Sequence, residues 1–214
     1  MPVPVTVPDR DCPLCPRLAA HRRALRAEFP DYHNAPVEAF GDDAPRLLIV
    51  GLAPGLHGAN ASGRPFTGDF AGILLYRSLY EAGFASAPAS RSAGDGLALE
   101  GARITNAVKC LPPANKPTTR EADTCRRFLE REIESLPAST VVLALGAIAH
   151  RSVVRSAGGT QSDYRFAHGA VHRLPGGRRL VDSYHCSRYN TQTGRLTPEM
   201  FSAALATARS LALT

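Results

Sequence analysis

The apolar run Leu47-Leu-Ile-Val50 feeds directly into Gly51-Leu-Ala-Pro-Gly55-Leu-His57-Gly58-Ala-Asn60-Ala-Ser-Gly63-Arg64-Pro65-Phe66-Thr67-Gly68-Asp69, after which a helical pattern begins. Four consecutive branched apolar residues predict a strand buried on both faces. Five glycines and two prolines among the next 19 residues allow tight turns and close backbone approach to a ligand. Strand, glycine-rich loop and helix in that order make the unit of an open α/β sheet, whose ligands sit beyond the carboxyl ends of the strands. Turn chemistry accounts for the glycines. It does not account for Arg64-Pro-Phe-Thr-Gly-Asp69, where a cation, an aromatic ring and an anion follow one another on a loop held by rigid elements.

The same unit recurs along the chain. A Cys-Pro-Leu-Cys turn precedes a basic helix predicted from Arg17 to Phe29, and the first strand spans Arg46–Val50. A helix is expected from Phe70 to Ala82, ended by Gly83. Residues 85–101, rich in Ala, Ser and Gly, read as a loop with the composition of a mobile segment. Arg103–Lys109 is the second strand. Three prolines in 111–117 exclude helix and central strand there, and Thr118 or Thr119 caps a helix to about Leu136 with Glu121 in its first turn. Thr140–Leu145 is the third strand and Gly146 opens another helix. Ala170–Leu174 is a short strand candidate, Arg179–Tyr184 the fourth strand of the sheet, and Pro198 to about Leu211 the last helix. This alternation predicts one three-layer α/β/α domain over residues 1–214, with a central, mostly parallel sheet of four strands and an extended N-terminal arm over 1–11.

At 214 residues the chain is long enough for a core of its own. No apolar run has membrane length, and Met1–Pro8 lacks a basic region followed by an apolar core, so neither a span nor a secretion signal is expected. A cytoplasmic protein, and a monomer, is the expectation. The formal charge of +6 comes mostly from arginine, the lysines being Lys109 and Lys116 alone. Such a balance favours a polyanionic partner. Of the five cysteines, Cys12 and Cys15 form Cys-x2-Cys, and Cys110 and Cys125 form Cys-x14-Cys. An odd count argues against a disulfide scaffold. Four thiolates in two groups suit zinc or an iron–sulfur cluster, and their spacing does not choose between them. Cys186 reads as a small filler.

The polar motifs fall just after strand ends: Gly51–Asp69, Asn106–Cys110 and His185–Asn190. With Gly51-Leu-Ala-Pro-Gly55, Gly63-Arg-Pro-Phe-Thr-Gly-Asp69, Ile104-Thr-Asn-Ala-Val-Lys-Cys110 and His185-Cys-Ser-Arg-Tyr-Asn190, the chain resembles the uracil-DNA glycosylase superfamily, specifically its family 5 (type b). The resemblance runs from Cys12 to the C-terminus. Two positions depart from the pattern: Cys186 stands where proline is usual, and Gly55 where alanine is common.

The resemblance implies a prokaryotic base excision repair enzyme, nucleoid-associated when on DNA, that flips uracil out of DNA and hydrolyses its N-glycosidic bond to leave an abasic site. It also implies a [4Fe–4S] cluster on Cys12, Cys15, Cys110 and Cys125. Phe66 would stack on the flipped base, Asn106 would read its edge, and His185 would face the uracil O2, where negative charge develops. Gly51, Ala53 and Gly55 would line the base pocket. Asp69 is implied as the residue that polarises water, and it also stands where an N-cap for the next helix belongs. Ser187, Arg188, Tyr189 and Asn190 would meet DNA, with Tyr189 filling the gap left by the base. Lys109, Lys116 and Arg120 are weaker candidates for the DNA path, and His57 is expected to shape its loop. Gly55 leaves room for bulkier bases, so hypoxanthine, ethenocytosine and mismatched thymine are expected as slower substrates. A phosphotransferase is disfavoured because no Lys-Ser/Thr follows the glycines. The remaining alternative is a non-enzymatic module that binds nucleic acid through a metal held by the four cysteines.

Overall fold

A computed structural model of the chain describes residues 7–213. The order of elements is α1 (Pro16–Glu28), β1 (Phe40–Gly41), β2 (Leu47–Gly51), α2 (Ala59–Ser62), α3 (Phe70–Glu81), β3 (Ala102–Asn106), α4 (Thr119–Ser135), β4 (Val141–Leu145), α5 (Ala147–Ser156), β5 (Val171–Arg173), β6 (Arg179–Ser183), α6 (Arg188–Gln192) and α7 (Pro198–Ala212). The sheet has six strands in the order β1-β3-β2-β4-β6-β5. The four expected strands are the parallel centre, β3-β2-β4-β6. The count of four is corrected by two short antiparallel edges, β1 on β3 and β5 on β6. β5 falls within the short strand candidate Ala170–Leu174 and extends the sheet, whereas the two residues of β1 are too few to carry an alternation.

Every residue of β2 and β4 is buried, as a central strand covered on both faces requires. Successive side chains alternate between layers. Leu47, Ile49, Leu143 and Leu145 meet Leu75 and Leu79 of α3 and Phe201 and Leu205 of α7. Leu48, Val50, Val142 and Ala144 meet Leu129 and Ile133 of α4 and Val153 and Val154 of α5. The expected three layers are therefore present. No helix among the described residues is long and apolar enough to cross a membrane. The expected extended arm lies, for residues 1–6, outside the described residues; Asp9 to Cys12 closes a turn, with the Cys12 N–H donating to the Asp9 carbonyl.

Of the two threonines, Thr118 is the cap of α4. Its hydroxyl accepts the Glu121 N–H at 3.2 Å and the Glu121 carboxylate accepts the Thr118 N–H at 2.8 Å. The strand expected to reach Lys109 ends at Asn106, and Lys109 turns inward. It is buried, with Nζ 2.9 Å from Glu132 Oε2 and a second bond to the Thr105 hydroxyl, so it lines no DNA path. Residues 85–101 are tied down rather than loose. The Asp95 carboxylate takes a 2.6 Å hydrogen bond from Arg64, Ser90 and Thr67 share a 2.7 Å bond, and Leu97 and Leu99 are buried.

Burial alone would raise the Glu132 carboxyl, yet the charge and hydrogen bonds of Lys109 outweigh it, and the group stays below its usual range. Arg103 adds a second ion pair at 3.2 Å. Removing one member of a buried pair leaves the other charge without compensation. Glu132→Ala is therefore expected to cost about 3–5 kcal/mol of stability, read by urea unfolding, whereas the exposed Glu81→Ala should change it by less than about 1 kcal/mol.

Candidate active site at the carboxyl edge of the sheet

β2 and β3 pair in parallel with Gly51 opposite Asn106. A Cβ on Gly51 would lie 2.5 Å from Asn106 Oδ1 and 2.6 Å from Phe66 Cζ. Only glycine lets the Asn106 amide and the Phe66 ring close over the strand end. Asn106 is buried, and among the described residues no protein group bonds to its amide.

Phe66 adopts a left-handed backbone, φ 55°, which costs an aromatic residue about 1–2 kcal/mol. Its neighbours hold it there. The Tyr76 hydroxyl donates to the Pro65 carbonyl at 2.7 Å. A Cβ on Gly72 would lie 1.8 Å from the Phe66 carbonyl oxygen, so α3 can begin beneath the loop only with glycine at that point. The Phe66 ring is mostly buried and lies on His185, ring centres 5.9 Å apart and planes 29° apart. One ring thus touches both the strand end of Asn106 and the imidazole. The three residues expected to grip a base meet in one place.

His185 leaves the end of β6. Burial pushes its pKa down to about 4, so the imidazole is neutral near pH 7. Asn190 Nδ2 donates to the His185 carbonyl at 2.8 Å and holds this turn of backbone. Asp69 caps α3, Oδ1 accepting the Gly72 N–H at 2.9 Å. Its other oxygen faces the loop, 3.7 Å from where a Cβ of Gly55 would be and 2.7 Å from one of Gly58. Burial raises the Asp69 carboxyl, with the N–H groups of Gly72 and Ala71 opposing. One residue thus supplies both the cap and a carboxylate oxygen turned to the glycine-rich loop.

With Cys15 and Cys110, the partly buried Ala53 packs on Leu18, Val108 and Ala122. Ser187 caps α6, accepting the Asn190 N–H. Arg188 lies over the Phe70 ring at 5.0 Å, and Tyr189 projects with 70% of its surface exposed. A groove of about 600 Å³ runs past Asp69 between Arg188, Arg77 and Arg91. Arg77 and Arg91 gave no signal in sequence, because solitary arginines on helix and loop carry no spacing. The loop cation Arg64 is a buried strut to Asp95. His57 is bonded to the Tyr32 hydroxyl at 3.0 Å and shapes its loop, as expected. Cys186 is fully buried, its thiol pushed up to about 12, and fills space.

Cys12, Cys15, Cys110 and Cys125 line one small cavity with Leu18, Arg22 and Phe128. Burial pushes the thiols of Cys15 and Cys110 up to about 11 and about 12, the other cysteines adding to it while Arg22 opposes it at Cys110 and Arg127 at Cys15. Arg22 is buried beside them, bonded to the Cys12 carbonyl at 3.0 Å and Cys110 Sγ at 3.5 Å. No carboxylate lies within ion-pair reach of it among the described residues, and its Nε has no partner. A buried guanidinium with no carboxylate beside it suits sulfurs that carry negative charge when a metal is bound.

Comparison with known proteins bears on this geometry. The family model described as "Uracil DNA glycosylase superfamily" matches residues 38–209. The chain is 50% identical over 208 residues to a Type-5 uracil-DNA glycosylase of Thermus thermophilus, covering 94% of each chain. It is 44% identical over 209 residues to a Type-5 uracil-DNA glycosylase of Mycobacterium leprae, covering 94% of this chain and 91% of that one. A Type-4 uracil-DNA glycosylase of Thermotoga maritima matches at 33% over 143 residues, 66% of this chain and 65% of that one. The loops that meet at Phe66, Asn106 and His185 all lie inside the matched span, and the chain belongs to the type-5 group of the uracil-DNA glycosylase superfamily.

Proposed function

We propose that the protein is a uracil-DNA glycosylase, hydrolysing the bond between a flipped uracil and its deoxyribose to leave an abasic site. The meeting of an aromatic ring, an unbonded amide and a neutral imidazole around Gly51 carries this function. The Asn106 amide offers donor and acceptor side by side to a pyrimidine edge. As the C1′–N1 bond breaks, charge moves onto the base, and a fixed imidazole N–H facing O2 lowers the barrier. Asp69, with one oxygen used as cap and the other facing the loop, polarises the attacking water and offsets positive charge on the sugar. Tyr189 fills the vacated stack, and Arg188, with Ser187 and Asn190 forming its turn, meets the backbone. A module that did no more than hold a metal on four cysteines would leave this convergence without use.

A duplex carrying one deoxyuridine, incubated and then treated with hot alkali, is expected to be cut at that position. An uncut strand overturns the proposal. His185→Ala should slow single-turnover release at least about a hundredfold. For pH, Asp69 must be ionised to act, and its pKa is raised; His185 stays neutral down to about 4. Activity should therefore fall with acid through one limb lying above the ordinary aspartate value, and Asp69→Asn should abolish that limb, as a rate–pH profile will read.

We also propose a wider substrate range, with uracil first and hypoxanthine, ethenocytosine and mismatched thymine slower. A Cβ at Gly55 would have only Asp69 Oδ2 within 4 Å, at ordinary contact distance, which supports room for a bulkier base. Gly55→Tyr should lower the ratio of bulky-base to uracil release by at least about tenfold; an unchanged ratio in paired single-turnover assays refutes the explanation.

Finally, we propose that Cys12, Cys15, Cys110 and Cys125 hold a [4Fe–4S] cluster. Their side chains line one small cavity. The buried Arg22 matches an anionic cluster. When bound, the cluster supplies folding energy and a fixed cross-link. Cys125→Ser should lose iron and acid-labile sulfide and lower the melting temperature; unchanged iron content counts against the assignment.

A further inference from the structure

On the α4–α5 side of the sheet, away from the cysteines, α5, β5 and β6 bring His150, His172 and Asp182 together, with every donor atom within 4.8 Å of the others. His150 and Asp182 are fully buried, and His172 is 14% exposed. Asp182 presents one oxygen to His150 Nδ1 at 2.8 Å and the other to His172 Nε2 at 3.0 Å.

The far nitrogen of His150 fixes its tautomer. Nε2 lies 2.9 Å from the Tyr164 carbonyl, which can only accept, so Nε2 carries a proton. A neutral His150 then turns its Nδ1 lone pair toward a carboxylate oxygen 2.8 Å away. Two acceptors at that distance repel unless a proton lies between them or both turn to one shared cation. This is the arrangement of metal-binding histidines, in which the second nitrogen donates to a carbonyl and the first is left free to ligate. Ligand atoms around a tetrahedral zinc stand roughly 3–3.5 Å apart, so an ion would be taken up with the 2.8 Å and 3.0 Å histidine–carboxylate contacts opening by a few tenths of an ångström. Two imidazoles and a carboxylate suit a late first-row divalent ion, and His172 is partly exposed.

We propose that His150 Nδ1, His172 Nε2 and the Asp182 carboxylate form a structural site for one divalent ion, zinc by its ligand set. Such an ion would staple the 157–170 loop, which places Tyr164 and Phe166 against His150, onto the strand that delivers His185 three residues after Asp182. The competing occupant is a proton on His150 Nδ1.

The test uses full-length protein with its cysteine site loaded, dialysed against EDTA, given stoichiometric Zn2+ and desalted. Wild type is expected to retain a single zinc ion per chain with its iron unchanged, and to melt several degrees higher with Zn2+ than without. His172→Gln, on an edge strand, is expected to retain none and to show no zinc-dependent rise. Co2+ bound to wild type should give the visible bands of a nitrogen–oxygen site without a thiolate charge-transfer band. Should His172→Gln fold poorly, this cobalt spectrum decides alone. No zinc uptake by wild type, uptake equal in the variant, or a thiolate band on cobalt overturns the proposal.

Discussion

Parallel pairing of β2 with β3 sets Gly51 beside Asn106, and the absence of a side chain at Gly51 leaves the space that the Asn106 amide and the Phe66 ring occupy. That register is held by burial. Leu47 and Ile49 face α3 and α7 while Leu48 and Val50 face α4 and α5, and a slip of one residue would send each into the opposite layer. The same apolar alternation that builds the core therefore positions a polar group at its rim. The left-handed turn at Phe66 is the local cost of bringing a ring over that point. The Tyr76–Pro65 hydrogen bond, the Asp69 cap and the close seat on Gly72 together offset it. Each is a property of α3, so the helix after the loop shapes the loop.

Electrostatically the rim divides into a neutral interior and a cationic margin. His185 is uncharged because burial penalises its protonated form, and Asp69 is raised for the same reason. Both sit where water is scarce, and there a fixed dipole acts more strongly on developing charge than it would in solvent. Outside, Arg77, Arg91 and Arg188 border the groove that leads to Asp69. Their charge is screened within a Debye length of about 8–10 Å, so it acts only at short range.

Much of this is legible without coordinates. Long buried strands write themselves as apolar runs, and β2, β3, β4 and β6 can each be placed to within a few residues. Phe66, Asn106 and His185 can be grouped because they follow strand ends in a parallel sheet, which gathers its carboxyl ends on one edge. Other features carry no local sign. The edge strand β1 is too short to alternate. Lys109 looks like a surface cation in sequence because its partner Glu132 lies 23 residues away on α4. Arg64 looks functional and proves to be a strut, since Asp95 lies in a segment without pattern. What sequence misses is long-range pairing of single polar residues, which periodicity cannot express.

Residues 106–110 explain why the cysteines and the rim should be understood together. Asn106 ends β3 in the pocket, and Cys110, four residues on, lines the cysteine cavity. Between them, Ala107 and Val108 donate to the carbonyls of Gly51 and Leu52, so this segment remains laced to the start of the glycine-rich loop. Val108 is buried under Ala53, and Lys109 donates its N–H to Cys125 Sγ while its ammonium is fixed by Glu132. Each residue of the turn is thus held by a different neighbour. A displacement at the Cys110 end is therefore passed along a turn pinned at each residue to Asn106, and a group held by the four cysteines would be coupled to the rim through the geometry of these five residues.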